Sequence, residues 1–296
     1  MEAFLMNNLI SVIIPTYCRS INMLRTAVQS VKGQSEPVFE IIIVDDNNDC
    51  LLSKAIYSYC QENGLIYMAS GNVGAAAARN IGINIAKGAY IAFLDDDDTW
   101  LPDKLRMQMS LFSNTEIGLV YSRGYTVKTD AYNHMLKVPY ATDSYFRTEV
   151  YYKDLLERNY IGTTTQLVVK KAVLIQINGF DESLPSRQDY DLCLRIAKHY
   201  RCVGVDEHLF IHNIHGKDQI TSNAIINMKG YQILFKKYKS DIFQIADAPR
   251  KWCYRITRNA LYGKSYAVFA KYLFWAILYN PLKIRETIRK CVGQTK

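Results

Sequence analysis

Along the first 115 residues, short unbroken apolar runs alternate with longer stretches in which apolar residues recur every three or four positions. The runs Leu9 to Ile14, Phe39 to Val44, Ile66 to Met68 and Ile91 to Leu94 are brief and mostly rich in Ile and Val, and Pro15 or acidic residues end three of them. They read as buried strands. Between them, Ile21, Leu24, Val28 and Val31 keep helical spacing, with Ser20 placed to cap and Gly33 to stop. A second helix is predicted around Leu51 to Gln61, and an Ala-rich third from Ala75 to Lys87, stopped by a left-handed Gly88. A fourth opens at Pro102 with Leu105, Met109 and Phe112 on one face. Strand and helix in alternation predict an α/β fold, a mostly parallel sheet covered by helices. Ligands of such sheets lie beyond the carboxyl ends of the strands, which here lead into Thr16 to Ser20, Asp45 to Asp49 and Asp95 to Thr99.

The second half is less regular. Leu119 to Tyr121 and Leu167 to Val169 read as strands, with a Tyr-rich stretch between them. A helix is expected from Asp189 to Lys198, with Leu192, Leu194 and Ile196 inward. There is no internal repeat and no low-complexity linker.

Charge changes this picture at one place. The net charge of +8 arises from the tail: from Arg250 to Lys296 there are eleven Lys and Arg against Glu286 alone, while the preceding residues carry 25 basic and 27 acidic groups. A near-neutral body with a basic tail argues against nucleic-acid binding and for a separate attachment surface. The seven cysteines are scattered without CxxC spacing, which predicts reduced thiols in a cytosolic setting. Met1 to Asn8 does not read as a secretory signal.

The candidate chemistry begins at Asp95 to Asp98, four acids directly after the run Ala89 to Leu94. Four like charges cannot be buried unpaired, so they belong at a sheet edge, where a ligand or cation neutralises them. Residues two apart on an extended segment share a side, so Asp95 and Asp97 can present oxygen ligands to Mg²⁺ or Mn²⁺. A charged turn capping the helix after Pro102 is the plainer reading.

Further elements follow in order: Ser11-Val12-Ile13-Ile14-Pro15-Thr16-Tyr17, Ile42-Ile43-Val44-Asp45-Asp46, Ala78-Arg79-Asn80, Phe93 to Asp98, Gly179-Phe180-Asp181-Glu182, and Gln188-Asp189-Tyr190-Asp191-Leu192. Jointly, over roughly Leu9 to Thr221, they resemble the inverting family 2 glycosyltransferases of bacterial O-antigen and capsule synthesis. The resemblance implies the GT-A nucleotide-diphospho-sugar transferase fold, a Rossmann-like mixed sheet flanked by helices. It also implies a UDP-sugar donor and a Mn²⁺ or Mg²⁺ cofactor. On it, Pro15, Tyr17 and Asp46 would surround the base, though Asp46 also suits a turn. Asp95 and Asp97 match the D-x-D element, with Asp97 on the metal and Asp95 on the ribose or the metal shell. Asp96 counts with the donor-binding residues while pointing the other way, and His215 would complete the metal shell or touch phosphate. Arg79 would lie near ribose and phosphates or on the helix surface. Asp189 would be the catalytic base, or else an N-cap, with Gln188 where the family often has Glu. Asp191 and Arg195 are expected to pair along the helix.

The implied organisation is a catalytic domain over 1–225 (donor half to about 115, acceptor half from about 116), a connecting helix over 226–249 and a basic amphipathic helical tail over 250–296. Trp and Tyr among the tail's basic residues suit a membrane surface; packing on the catalytic domain is the other possibility. The expected activity is metal-dependent inverting transfer of a hexose, galactose or glucose favoured, to a lipid-linked saccharide acceptor at the inner face of the cell membrane. A sugar nucleotidyltransferase would need a glycine-rich basic loop that Ile14 to Arg19 does not provide, and a degenerate sugar-nucleotide-binding module would have lost its acids.

Overall fold

A computed structural model describes residues 9–129, 135–214 and 223–283, and the chain divides into two compact units. The first takes in the chain to Tyr151, Tyr160–Glu182 and Leu192–Ile214. Its strands are β1 (Ile10–Thr16), β2 (Glu40–Asp45), β3 (Ile66–Ala69), β4 (Tyr90–Phe93), β5 (Thr99–Trp100), β6 (Ile117–Thr129), β7 (Met135–Pro139), β8 (Glu149–Val150), β9 (Val168–Lys170) and β10 (Arg201–Asn213). They form one mixed sheet in the order β3-β2-β1-β4-β9-β6-β10-β5, with β7 beside β6 and β8 beside β10. β1 to β4 run parallel, β9 runs against β4 and β6, and β6 is parallel to β10. The carboxyl ends of β1, β2, β4, β6 and β10 therefore share one edge.

The helices of this unit are α1 (Ile21–Lys32), α2 (Cys50–Asn63), α3 (Ala75–Ile85), α4 (Lys104–Met109) and α6 (Lys171–Gln176); α5 (Tyr152–Glu157) belongs to the second unit. Ser20 caps α1 by accepting from the Asn22 N–H, as its sequence predicts. Ile10, Val12, Ile14, Leu24, Val28, Ile41 and Ile43 close one apolar core, each fully buried side chain contributing about 1.5–3 kcal/mol.

Two expectations are corrected. Pro15 does not end β1, which continues to Thr16 in register with Asp45. On its other side β1 pairs with β4 only as far as Ile13 and Phe93, so the missing Pro15 N–H deprives no ladder partner. Gly88 is not the left-handed cap of α3, which ends at Ile85 with Ala86 as its cap. A Cβ at Gly88 would fall 2.7 Å from the Leu9 carbonyl, the Ser11 nitrogen and Ser11 Oγ. Close approach of two backbones, and not a turn, requires glycine there. The contact belongs to a stitch at the amino ends of the strands: the Gly88 N–H donates to Ser11 Oγ (2.8 Å), Ser11 Oγ to Glu40 (2.5 Å), and the Lys87 N–H to the same carboxylate (2.6 Å).

The second unit comprises Tyr152–Asn159, Ser183–Asp191 and the chain from His215. It holds α5, the first turn of α7 (Gln188–Ala197), α8 (Ala224–Lys237), α9 (Lys239–Phe243), α10 (Ala248–Tyr262) and α11 (Tyr266–Tyr279). Trp252 of α10 is fully buried, stacked on Tyr190 and donating to the Leu156 carbonyl (2.6 Å). The composition break at Arg250 thus falls inside a packed helix. Arg250 itself is buried against Asp247 (2.7 Å), and Lys251 pairs with Glu157 (2.7 Å).

Candidate active site

Three loops leave the carboxyl edge where the apolar pattern places them. After β2, Asp45 and Asp46 turn inward and are both nearly inaccessible. Asp45 accepts from Tyr67 Oη (2.8 Å) and from Asn47 Nδ2 (2.6 Å). Asp46 accepts from Ser70 Oγ (2.7 Å) and from the backbone N–H groups of Val73 (2.7 Å) and Gly74 (2.8 Å). The loop wraps the carboxylate because Gly71 (φ 77°), Asn72 (φ 63°) and Gly74 (φ 92°) lie in the left-handed region, turning successive N–H groups toward it. Asp46 thus organises the 70–74 loop ahead of any ligand.

After β1, Pro15 is half-buried and Tyr17 is exposed. Cys18 has φ 52°, and its N–H donates to Asn47 Oδ1 (2.6 Å), which fixes the loop that carries Arg19.

After β4 the four aspartates do not continue the extended strand the sequence suggests: they form a tight turn closed by the Asp98 N–H donating to the Asp95 carbonyl (3.0 Å), in which Asp96 and Asp98 are buried and Asp95 and Asp97 less so. Asp96 and Asp98 point inward: Thr16 Oγ1 donates to Asp96 (2.6 Å), and Thr165 Oγ1 (2.6 Å) and the Asn213 N–H (3.0 Å) donate to Asp98. His212 Nδ1 lies 3.1 Å from the Asp98 carboxylate. Burial pulls the His212 imidazole down, but the hydrogen bond and charge of Asp98 outweigh it and its pKa rises. Asp95 and Asp97 are less deeply buried and meet guanidinium groups, Arg79 Nη2 at 2.5 Å and Arg19 Nη2 at 3.1 Å respectively. Arg79 is buried on α3, over the Phe180 ring. The structure therefore takes it off the helix surface and into the site. Thr164 also donates to Asp95 (3.1 Å), whereas Arg19 is the one hydrogen-bonding partner of the Asp97 carboxylate among the described residues.

Burial, then the charges of Asp98, Asp95 and Asp96, push the Asp97 carboxyl up to about 7 against the opposing Arg19. Asp96 is pushed up to about 6, mainly by burial. This crowding is what a divalent cation relieves, and carboxylate oxygens are the donors Mg²⁺ and Mn²⁺ take. Asp95 and Asp97 fit such an ion as part of its shell. No group of three or more His, Cys, Asp or Glu that could hold a metal converges among the described residues, so further ligands would come from substrate, water or residues outside that set.

The chain belongs to glycosyl transferase family 2. The family model matches residues 11–177, more than half of the chain and all three loops. Over 292 residues the chain is 29% identical to the putative colanic acid biosynthesis glycosyl transferase WcaA of Escherichia coli, covering 97% of this chain and 98% of that one. Among solved structures it is similar to S. aureus TarS 1–349 in complex with UDP-GlcNAc (TM-score 0.59, 16% identity, 95% of this chain and 92% of that one). It is also similar to the mannosyltransferase PcManGT from Pyrobaculum calidifontis in complex with GDP-Man and Mn²⁺ (TM-score 0.59, 14% identity, 97% and 88%). The mixed sheet is that of the GT-A glycosyltransferases, and the enzyme is a glycosyltransferase.

Asp189 lies half-buried in the first turn of α7, within the second unit. In that unit Asp191 accepts from Tyr238 Oη (2.7 Å) and Lys237 Nζ (2.8 Å), tying down the turn that carries Asp189. In the first unit, Arg195 donates to the Ile177 carbonyl (2.7 Å). His215 lies outside the described residues. Sequence reasoning named neither Arg19, Thr164, Thr165 nor His212. Arg19 was within reach, since it stands in a loop already assigned to the carboxyl edge.

Proposed function

We propose that this glycosyltransferase moves a hexose, galactose or glucose favoured, from a UDP-sugar to a hydroxyl of an undecaprenyl-diphosphate-linked saccharide, with inversion to a β-linkage. The product would enter surface polysaccharide such as O-antigen or capsule, a reading supported by the colanic acid role in the name of its Escherichia coli relative. The observation that carries the donor chemistry is the pair Asp95 and Asp97, brought into one tight turn, crowded with charge and countered by arginines. UDP-GlcNAc in TarS and Mn²⁺ in the mannosyltransferase support a nucleotide-sugar donor and a metal.

In this reading Pro15, Tyr17 and the Asp46-organised loop receive the base, and Asp96 holds the β1 end against the donor loop through Thr16. Asp95 and Asp97 would hold Mn²⁺ or Mg²⁺, with His215 as a further candidate ligand. When bound, the ion neutralises charge growing on the departing diphosphate. Arg79 holds the Asp95 carboxylate in place through their ion pair. Asp189 takes the proton of the acceptor hydroxyl as its oxygen bonds to the anomeric carbon and the bond from that carbon to UDP breaks. The basic tail would keep the enzyme at the inner membrane face, beside a lipid-linked acceptor.

Slow hydrolysis of a panel of UDP-, GDP- and dTDP-sugars, with Mn²⁺ or EDTA, tests this reading. Metal-dependent release of UDP from one sugar is expected, falling about 100-fold or more in Asp189→Asn, on the usual scale of a general base, with UDP binding unchanged. Release indifferent to EDTA overturns the metal assignment, and an unchanged Asp189→Asn rate overturns the base.

A further inference from the structure

Within the second unit, α11 carries one charge, Lys271, in fourteen residues, and only Ala276 is buried. A helix apolar on every side is ordinarily buried on every side. Here Tyr266 (66% exposed), Phe274 (61%) and Leu278 (52%) stand open, with Leu282 (97%) just beyond the helix. With Ala270 they repeat every fourth residue, which makes a continuous stripe along one flank. The helix is about 21 Å long at 1.5 Å per residue, short of the roughly 30 Å of hydrocarbon in a bilayer. No helix among the described residues is long and apolar enough to cross a membrane.

Beside the stripe lies a recess of about 500 Å³ walled by Phe235, Trp275 and Tyr279 and rimmed by Lys236, Lys239 and Lys271. None of these lysines has an acidic partner among the described residues. The nearby acids are engaged elsewhere: Asp191 with Lys237, Asp241 with Tyr152, and Asp247 with Arg250 and Lys283. From Asn223 to Lys283 the chain holds eleven Lys and Arg against two Asp.

We infer that this face docks on an anionic lipid bilayer, the α11 stripe lying at the boundary of headgroups and acyl chains and a lipid phosphate seated in the lysine-rimmed recess. Charge complementarity selects the occupant: a second copy would set lysines against lysines, whereas anionic headgroups neutralise them. Aromatic rings with one polar end suit that boundary. The inference deepens the proposed membrane-side placement and rests on it, naming the face and the class of lipid.

The experiment is co-sedimentation of the full chain with vesicles of phosphatidylcholine alone or mixed with phosphatidylglycerol, at low and high salt. Binding is expected to the mixed vesicles only, and to weaken with salt. The triple variant Lys236→Glu, Lys239→Glu, Lys271→Glu should lose at least about 100-fold in partitioning, from roughly fivefold per lysine. The pair Phe274→Ser and Leu278→Ser, checked for an unchanged melting profile, should lose binding even at low salt. Equal binding to both vesicles, no binding, or an undiminished triple variant overturns the inference. So does a self-associated wild type that the serine pair turns monomeric, which would make the stripe a contact between copies. Donor hydrolysis separates this from the catalytic reading: it should persist in both variants, and its absence from the wild type would count against transfer, not docking.

Discussion

Two strands of one sheet, on either side of β1, end on aspartates in opposite electrostatic condition. At the end of β2, Asp46 receives Ser70 and two backbone N–H groups, so its charge is met by neutral dipoles fixed in advance. Past β4, Asp97 is largely buried and has one guanidinium against three neighbouring carboxylates, and burial first, then those charges, lifts its pKa to about 7. The first region is finished before any ligand arrives; the second is held in tension that a cation would release. One acid is stabilised by its surroundings and the other is strained by them, as expected of a residue reserved for a ligand on the proposed reading.

The contrast is sharpest in Asp97→Asn. The substitution should abolish metal-dependent UDP release, by about 1,000-fold if the ion supplies several kcal/mol, while thermal stability in EDTA holds or rises. A lowered melting temperature would break the comparison. Asp46→Ala should do the reverse to the fold, orphaning two N–H donors at about 1–3 kcal/mol each. Urea denaturation reads that loss, and a stability unchanged to within 0.5 kcal/mol or so, the usual range for neutral surface changes, would mean that water replaces the carboxylate.

pH gives a smaller effect. A carboxyl with a raised pKa costs nothing below about pH 4, where folded and unfolded chains are both protonated. The cost then grows as the unfolded chain ionises first, and for Asp97 it is complete above about 7. The raised His212 works in the same direction, its contribution fading as pH rises. Melting temperatures of the EDTA-treated protein should therefore fall between about pH 5 and pH 8, with a shallower slope in Asp97→Asn. Arg19→Ala should have the least effect on stability, under about 1 kcal/mol for a partly exposed pair. Its mark should instead be Mn²⁺ binding several-fold tighter without nucleotide, read by the paramagnetic resonance of free Mn²⁺; weaker binding would show that Arg19 shapes the site and does not compete for it.

Much of the first unit was legible because its strands are short, apolar and terminated by charge. The alternation of strands and helices and the three loops at one edge follow from that pattern. β10 was not legible, since Asp206, Glu207 and His208 interrupt its apolar run and its register shifts on either side of His208. The site was legible in its acids but not in their partners. Thr164, Thr165 and His212 reach Asp95 and Asp98 through pairings far apart in sequence, which periodicity does not report. Arg79 was ambiguous because one turn of an Ala-rich helix looks alike on its buried and exposed sides. The tail's charge was read correctly as a sum, but Arg250 and Lys251 are paired within the unit, leaving α11 and the lysines around it as the open surface.

The stitch of Gly88, Ser11 and Glu40 at the amino edge bears on how this enzyme can be altered. It clamps β1, β2 and the approach to β4 at the end remote from the chemistry, with no room for even a methyl group at position 88. A library meant to retarget donor choice can therefore vary the opposite loops outside Asp46 and the Asp95 to Asp98 turn while these three positions are kept as an invariant chassis. Any homologue used as a grafting template should first be inspected for glycine at the position matching 88.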